Sequence, residues 1–421
     1  MTTWDNLAPP DQARIRRWQW GVLALGLFCE IMLAADWYGL AAVLPFLSPD
    51  LGLDEAQAGF AQGIFALTYG LGMVVWSALS RDWSARAMLL TGLIGTTIGM
   101  GLQIYVQSYG QLLTLRLIIG FFDAGVFIGV MKLLLAWFPP ARRGLVVGLI
   151  LAAYSLAITL DFAIGIPLTI SYGWRNFFAI LTCGTAFAAG LVLLFAKPGP
   201  AALGSAFAGF RWSGEPPNPD RLELASIFRK PWVYIAGFGI ASCTFAIAGT
   251  ATWVVPAFIT HQAMPEASAA LIGTLMGLSQ VVFLVIGGLM ADKGDKLKLI
   301  RVSVIMAILT GLMFLAATLW ALPFAVLVLM AAISGIAVIG GGAIFALISD
   351  TYAPALASAA IGYAEVFGIL SSFVAPSIMG VIIRGSGGFP MAFTAFVIAE
   401  ALFLIVLMTL CAKRRLPVAS L

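Results

Sequence analysis

The sequence predicts an all-α membrane protein of twelve transmembrane helices, arranged as two pseudo-symmetric six-helix bundles. Three observations lead there. Of the 421 residues, 61% are hydrophobic and 10% charged, with a mean hydropathy of +1.02, whereas a soluble domain carries about 25% charged residues. Apolar runs longer than about 18 residues recur along the whole length, each enough to cross a hydrocarbon core of about 30 Å as a helix. They lack the alternation of polar and apolar residues that barrel strands show. Finally, the halves echo each other at an offset near 211 to 215: "SALSRDWSAR" after the second span aligns with "GLMADKGDK" after the eighth, and "YGWRNFF" (172–178) with "GGFPMAF" (387–393). Such repeats mark proteins built from two related bundles that hold a substrate near the membrane midplane.

The spans are expected at 19–47, 57–79, 87–107, 109–136, 144–170, 174–197, 232–260, 267–291, 299–319, 323–349, 357–383 and 389–412. Residues 1–197 form the N-terminal bundle, 198–231 a cytoplasmic linker and 232–421 the C-terminal bundle. The linker begins with Gly, Pro and Ser and reads as flexible, while "RLELASIF" (221–228) is weakly amphipathic and suits a membrane surface.

An even number of spans puts both termini on one side, and basic residues choose it. Of the 23 Lys and Arg, 19 fall in the tails and loops on the N-terminal side. Arg175 and Arg384 lie opposite, and Arg116 and Lys132 lie inside spans. The termini are expected in the cytoplasm and the protein in the inner (plasma) membrane. The net charge of +4 follows from this bias and implies no nucleic-acid partner. The polar first 17 residues and the long apolar run after them do not read as a cleaved signal. Cys29, Cys183, Cys243 and Cys411 lie in spans without ligand spacing, so neither disulfide nor metal is expected. The single His261 reads as a solvated loop residue. "IGGGAIF" follows no strand, so it suggests close helix packing or a bend rather than a phosphate loop. No Ser/His/Asp set or nucleotide motif is present. Neither enzyme activity nor a cofactor is expected.

An ionisable group near the bilayer centre costs roughly 2.5 to 3.5 kcal/mol on insertion scales, which makes it a functional candidate. The N-terminal half holds Glu30, Asp36, Arg116, Asp123, Lys132 and Asp161, and the C-terminal half Glu365 and Glu400. In "RLIIGFFDAGVFIGVMK" (116–132), Arg116 and Asp123 are seven residues apart, two turns on one helix stripe and about 10 Å along the axis. Side chains lean toward a helix's N-terminus, so Arg116 leans away from Asp123 and another group should stand between them. Lys132, about 13 Å toward the cytoplasm, can snorkel and suits a structural role. A structural reading pairs Arg116 with Asp161. A functional one makes Asp123 a proton carrier below a cationic anchor, because burial favours the neutral acid and a nearby cation the ion.

"RLIIGFFDAGVFIGVMKLLLAWFPPARRGLVVG" and "GWRNFF" resemble the fourth span, the loop after it and the start of the sixth span of the major facilitator superfamily, and the resemblance covers essentially the whole chain. The loop between spans two and three departs from that family's pattern. Ser77, Arg81, Asp82, Ser84, Ala85 and Arg86 stand there with acid and base transposed, whereas Gly288, Asp292 and Lys293 keep the usual order. Within the superfamily the anion:cation symporters are most similar. Asp36 matches their first-span acid, Trp37 replaces an Arg, Arg116 matches the fourth-span Arg, and Asp123 stands where an acid is expected.

The resemblance implies alternating access and proton-coupled uptake of a small organic anion by a monomer. Asp36, Asp123 and Glu30 would couple protons. Arg116, Trp37, Tyr38, Tyr363 and Gln280 would contact the substrate, with Asp161 and Lys132 as structural ion-pair candidates. Glu30, an acid outside that pattern, keeps open proton-driven export of apolar or cationic compounds, although Gly148, Gly165 and Pro167 only hint at the antiporter signature. The altered loop keeps open a non-transporting sensor or assembly protein. Glu400, on a span usually peripheral in this fold, suits a structural or partner-facing role.

Overall fold

The computed structural model describes residues 4–80, 82–139, 142–212, 226–352 and 354–412. Among them are twelve helices long and apolar enough to cross a membrane. Arg81 and most of "RLELASIF" lie outside the described residues.

The first span, Pro9–Leu51, is longer than its apolar run. Pro9 and Pro10 occupy its opening turn, where the missing N–H costs no helical bond. The arginine-rich turns that follow are docked: Ile15 is buried, and Gln19 Nε2 donates to Trp137 O at 2.8 Å. Gly52, at φ 64°, ends the helix in the left-handed conformation that glycine adopts freely.

Two spans are irregular for reasons visible in their sequences. The fifth runs from Arg143 to Leu160, passes through a π turn at Asp161–Gly165 and resumes at Ile166–Tyr172. Pro167 has no N–H to offer residue 163, and the turn absorbs the resulting break in the ladder. The tenth is interrupted between Phe324–Ser334 and Gly341–Thr351 by the 3-10 turn Gly335–Val338.

Side chains from neighbouring spans serve the backbone groups freed at that second break. Ser279 Oγ donates to Ala332 O and accepts from Gly335 N–H, while Ser303 Oγ donates to Ala337 O and accepts from Gly340 N–H. Broken helices survive at membrane depth only with such partners. The glycines permit the approach: a Cβ on Gly335 would stand 2.2 Å from Ser279 C. The glycine-rich run is therefore a packing device.

The chain divides into two compact units, residues 1–53 with 64–216 and residues 54–63 with 217–421. This differs from a partition into 1–197, 198–231 and 232–421 in two places. Residues 200–212 belong to the first unit and form short turns at Pro200–Leu203 and Ser205–Phe207. Phe207 and Trp212 are buried there, and Trp212 Nε1 donates to Ala136 O at 3.0 Å. The aromatic rings among the glycines overcome the flexibility expected of this stretch. Residues 54–63, the start of the second span, belong to the second unit because Gly59 and Gly63 present no side chain. A Cβ on either would stand 2.2 Å from Pro376 O or 2.5 Å from Phe373 O.

Candidate functional site: carboxyls around one buried arginine

The site lies within the first unit, on all six of its spans. Arg116, on the fourth span (Tyr109–Trp137), is 0% exposed. Its Nη1 donates to Asp36 O at 2.8 Å and its Nη2 to Trp37 O at 2.9 Å. The guanidinium carbon lies 4.5 Å from the centre of the Phe65 ring, a cation–π contact. Arg116 thus ties the fourth span to the main chain of the first, leaving Nε without a partner.

The carboxyls are buried as deeply. Asp36 Oδ2 accepts from Thr185 Oγ1 at 3.1 Å, and Asp123 Oδ1 from Thr96 Oγ1 at 2.6 Å. Asp161 opens the π turn of the fifth span, and Glu30 lies six residues before Asp36 on the first. Asp36 and Asp123 lie within electrostatic reach of Arg116. Asp123 lies within reach of Glu30 and Asp36, and Asp36 within reach of Asp161. Each acid keeps one oxygen without a partner: Glu30 Oε2, Asp36 Oδ1, Asp123 Oδ2 and Asp161 Oδ2.

An aromatic wall adjoins them. Trp37 lies 5.8 Å from Tyr38, 4.7 Å from Phe65, 5.1 Å from Tyr69 and 6.1 Å from Tyr154 between ring centres. The Tyr38 and Tyr154 hydroxyls are 3.1 Å apart.

The structure therefore brings together Glu30, Asp36, Trp37, Tyr38, Arg116, Asp123 and Asp161. Lys132 stands elsewhere, its Nζ donating to Ser80 O and to Trp83 O at 2.6 Å. Among the described residues no ion pair includes Lys132 or Asp161. Tyr363, Gln280 and Glu365 belong to the second unit. Tyr363 packs on Phe228, with 4.6 Å between rings, and Gln280 is buried. Glu400 is fully buried and accepts from Ser242 Oγ at 2.5 Å, so its span turns this acid inward rather than toward a partner.

Sequence reasoning did not single out Thr96, Thr185, Phe65, Tyr69 or Tyr154. A polar side chain in an otherwise apolar span was the available signal for the two threonines and Tyr154. None existed for Phe65, because a phenylalanine beside an arginine is not distinguishable from one in the core.

Four carboxyls buried in one cluster with a single guanidinium cannot all be ionised without heavy electrostatic cost. A proton on the unpartnered oxygen of an acid makes it neutral and turns it into a donor. The arrangement can take up and release protons, and the free Nε–H of Arg116 can donate to a further acceptor such as an anion's oxygen.

Residues 26–265 match the family model described as Major Facilitator Superfamily. A putative tartrate transporter of Agrobacterium vitis is 30% identical over 168 residues, 37% of this chain and 36% of that protein. A quinolone resistance transporter of Acinetobacter baumannii is 28% identical over 44% of this chain and 40% of its own length. This chain thus spans well under half of both. The hexuronate transporter of Bacillus subtilis (strain 168) is 21% identical, covering 85% of this chain and 86% of its own. In fold, the chain is similar to a bacterial homolog of the human lysosomal transporter Spinster, at a TM-score of 0.77 and 16% identity, over 95% of this chain and 99% of that one.

Proposed function

Because the chain belongs to the Major Facilitator Superfamily, we propose that it is a proton-coupled secondary transporter of a small organic anion, working by alternating access in the inner membrane with both termini in the cytoplasm. The observation that carries this reading is the charge imbalance at the site: four carboxyls, Glu30, Asp36, Asp123 and Asp161, and one guanidinium are buried together in the first unit. The surplus acids must gain and lose protons whenever the site exchanges between dry and wet states. A carboxylate substrate suits the one cation, since a guanidinium fork matches its geometry. Similarity to proteins named for tartrate and hexuronate transport supports the same class.

In this reading Asp123, Asp36 and Glu30 carry protons, and Asp161 and Lys132 serve the scaffold. Arg116 holds the anion through Nε, and Trp37 and Tyr38 flank it. The protein acts as a monomer and needs no cofactor.

Thermal-shift screening of the purified protein against organic acids, sugars and cationic drugs tests the substrate class. Stabilisation by carboxylates is expected. Stabilisation by neutral or cationic ligands alone sinks the anion assignment. Export of cationic compounds is the second reading, favoured by Glu30 and by the similarity to the quinolone resistance transporter. Collapsing the proton gradient should lower accumulation of an imported acid. It would raise retention of an exported drug, and leave both unchanged in a sensor.

The orientation rests on the 19 of 23 basic residues on one side. It is checked with single cysteines at the exposed positions Tyr172 and Ser205, introduced after removing the native four. An impermeant reagent applied to intact cells should label 172 and spare 205, and the reverse result inverts the topology.

A further inference from the structure

A groove of about 310 Å³ runs along the first unit's surface where the first and sixth spans meet, lined by Trp18, Gly21, Leu25, Phe28, Leu191 and Phe195 among others. Gly21 keeps it open, since a Cβ there would meet nothing within 4 Å. The neighbouring surface is hydrocarbon: Trp20 is 72% exposed, Leu194 74% and Phe187 61%. On a membrane span such a face meets lipid chains rather than water.

One end of the groove is cationic. Lys197 Nζ lies 4.5 Å from the centre of the Trp18 ring. Arg14 and Arg17 are exposed and stand four residues before Trp18 and Gly21, one turn along the same helix stripes. Between Asp11 and Glu30 the first span carries three arginines and no acid, and between Arg175 and Arg211 Lys197 is the only charge. Tryptophan and cations above an apolar trough form the pattern of a membrane–water boundary, where amphipathic rings and basic residues meet headgroups.

We propose that this groove binds one anionic phospholipid, an acyl chain lying against Gly21, Leu25 and Phe28 and the phosphate held by Lys197 and Arg17. The charge decides the occupant: a zwitterionic lipid fills the trough equally well but gains little from the two cations. The orientation proposed above places the site in the cytoplasmic leaflet; the lipid preference holds in either orientation.

The test is native mass spectrometry of the purified full-length protein titrated with phosphatidylglycerol or phosphatidylcholine. Wild type is expected to retain phosphatidylglycerol more tightly. Arg17→Gln and Lys197→Gln should each erase about fivefold of that preference, the share one basic residue supplies near an anionic surface. Gly21→Leu, which fills the trough, should weaken both lipids. Glycerophosphoglycerol, which has the headgroup without chains, should not compete.

Equal retention of the two lipids by wild type overturns the proposal, as does a preference that survives the double charge variant. Competition by the free headgroup would reassign the cations to a soluble anion. Melting temperature in detergent is measured alongside. Should Gly21→Leu fail to fold, the two charge variants decide, since neither position is a buried part of the bundle.

Discussion

Arg116→Ala is expected to abolish gradient-driven accumulation and to lower the melting temperature sharply. The guanidinium donates to Asp36 O and Trp37 O, packs on Phe65, and is the cation within electrostatic reach of Asp36 and Asp123. Removing one partner from a buried charged constellation costs on the order of 3–5 kcal/mol, because the groups left behind stay buried and uncompensated. Stability alone would not show that Arg116 meets the anion, so Arg116→Lys supplies the second arm. An ammonium keeps the charge without the planar fork. Lysine should recover much of the melting temperature while substrate affinity stays low, by the 1.5–3 kcal/mol or so that a hydrogen bond to a charged group is worth. Wild-type binding and melting in Arg116→Ala would assign the charge to neither role.

Asp123→Asn should separate binding from coupling. Asparagine mimics the protonated acid and still accepts from Thr96 Oγ1, which lies 2.6 Å from Asp123 Oδ1 in the native site. If proton and substrate bind together, wild-type affinity rises as pH falls, since protonation of Asp123 then favours the loaded state. Asp123→Asn is fixed in the neutral form and should lose the part of that pH dependence that Asp123 supplies, leaving only what Asp36 and Glu30 contribute. Counterflow, which needs no net proton movement, should persist in proteoliposomes, whereas accumulation driven by a proton gradient should disappear. Full gradient-driven accumulation by this variant would remove Asp123 from the proton path.

The fold was legible because it follows from apolar run length, which a bilayer enforces on every span. What escaped was set by short-range packing. The first helix begins at Pro9 rather than near residue 19 because its arginine-rich turns dock through Ile15 and Gln19. Residues 200–212 fold because Phe207 and Trp212 find partners that a glycine count does not reveal. At the site, the spacing of Arg116 and Asp123 foretold a shared stripe and an intervening group. Arg116's own partners are the backbone of the first span and the Phe65 ring. Backbone carbonyls occur at every position, so no residue type marked them as Arg116's acceptors.

That anchoring has a consequence for how the site can diversify. A guanidinium held by main-chain oxygens makes no demand on the side chains that carry those oxygens. An exchange at position 36 or 37 therefore leaves those two hydrogen bonds in place, so long as the helix itself persists, and acts instead through the charge and the rings beside them. The tie is fixed by main-chain geometry, while the side chains at 36 and 37 make their own contacts, with Thr185 and with the neighbouring rings. The joint between the spans is thus set by backbone position, and the side chains beside it answer to a separate set of contacts.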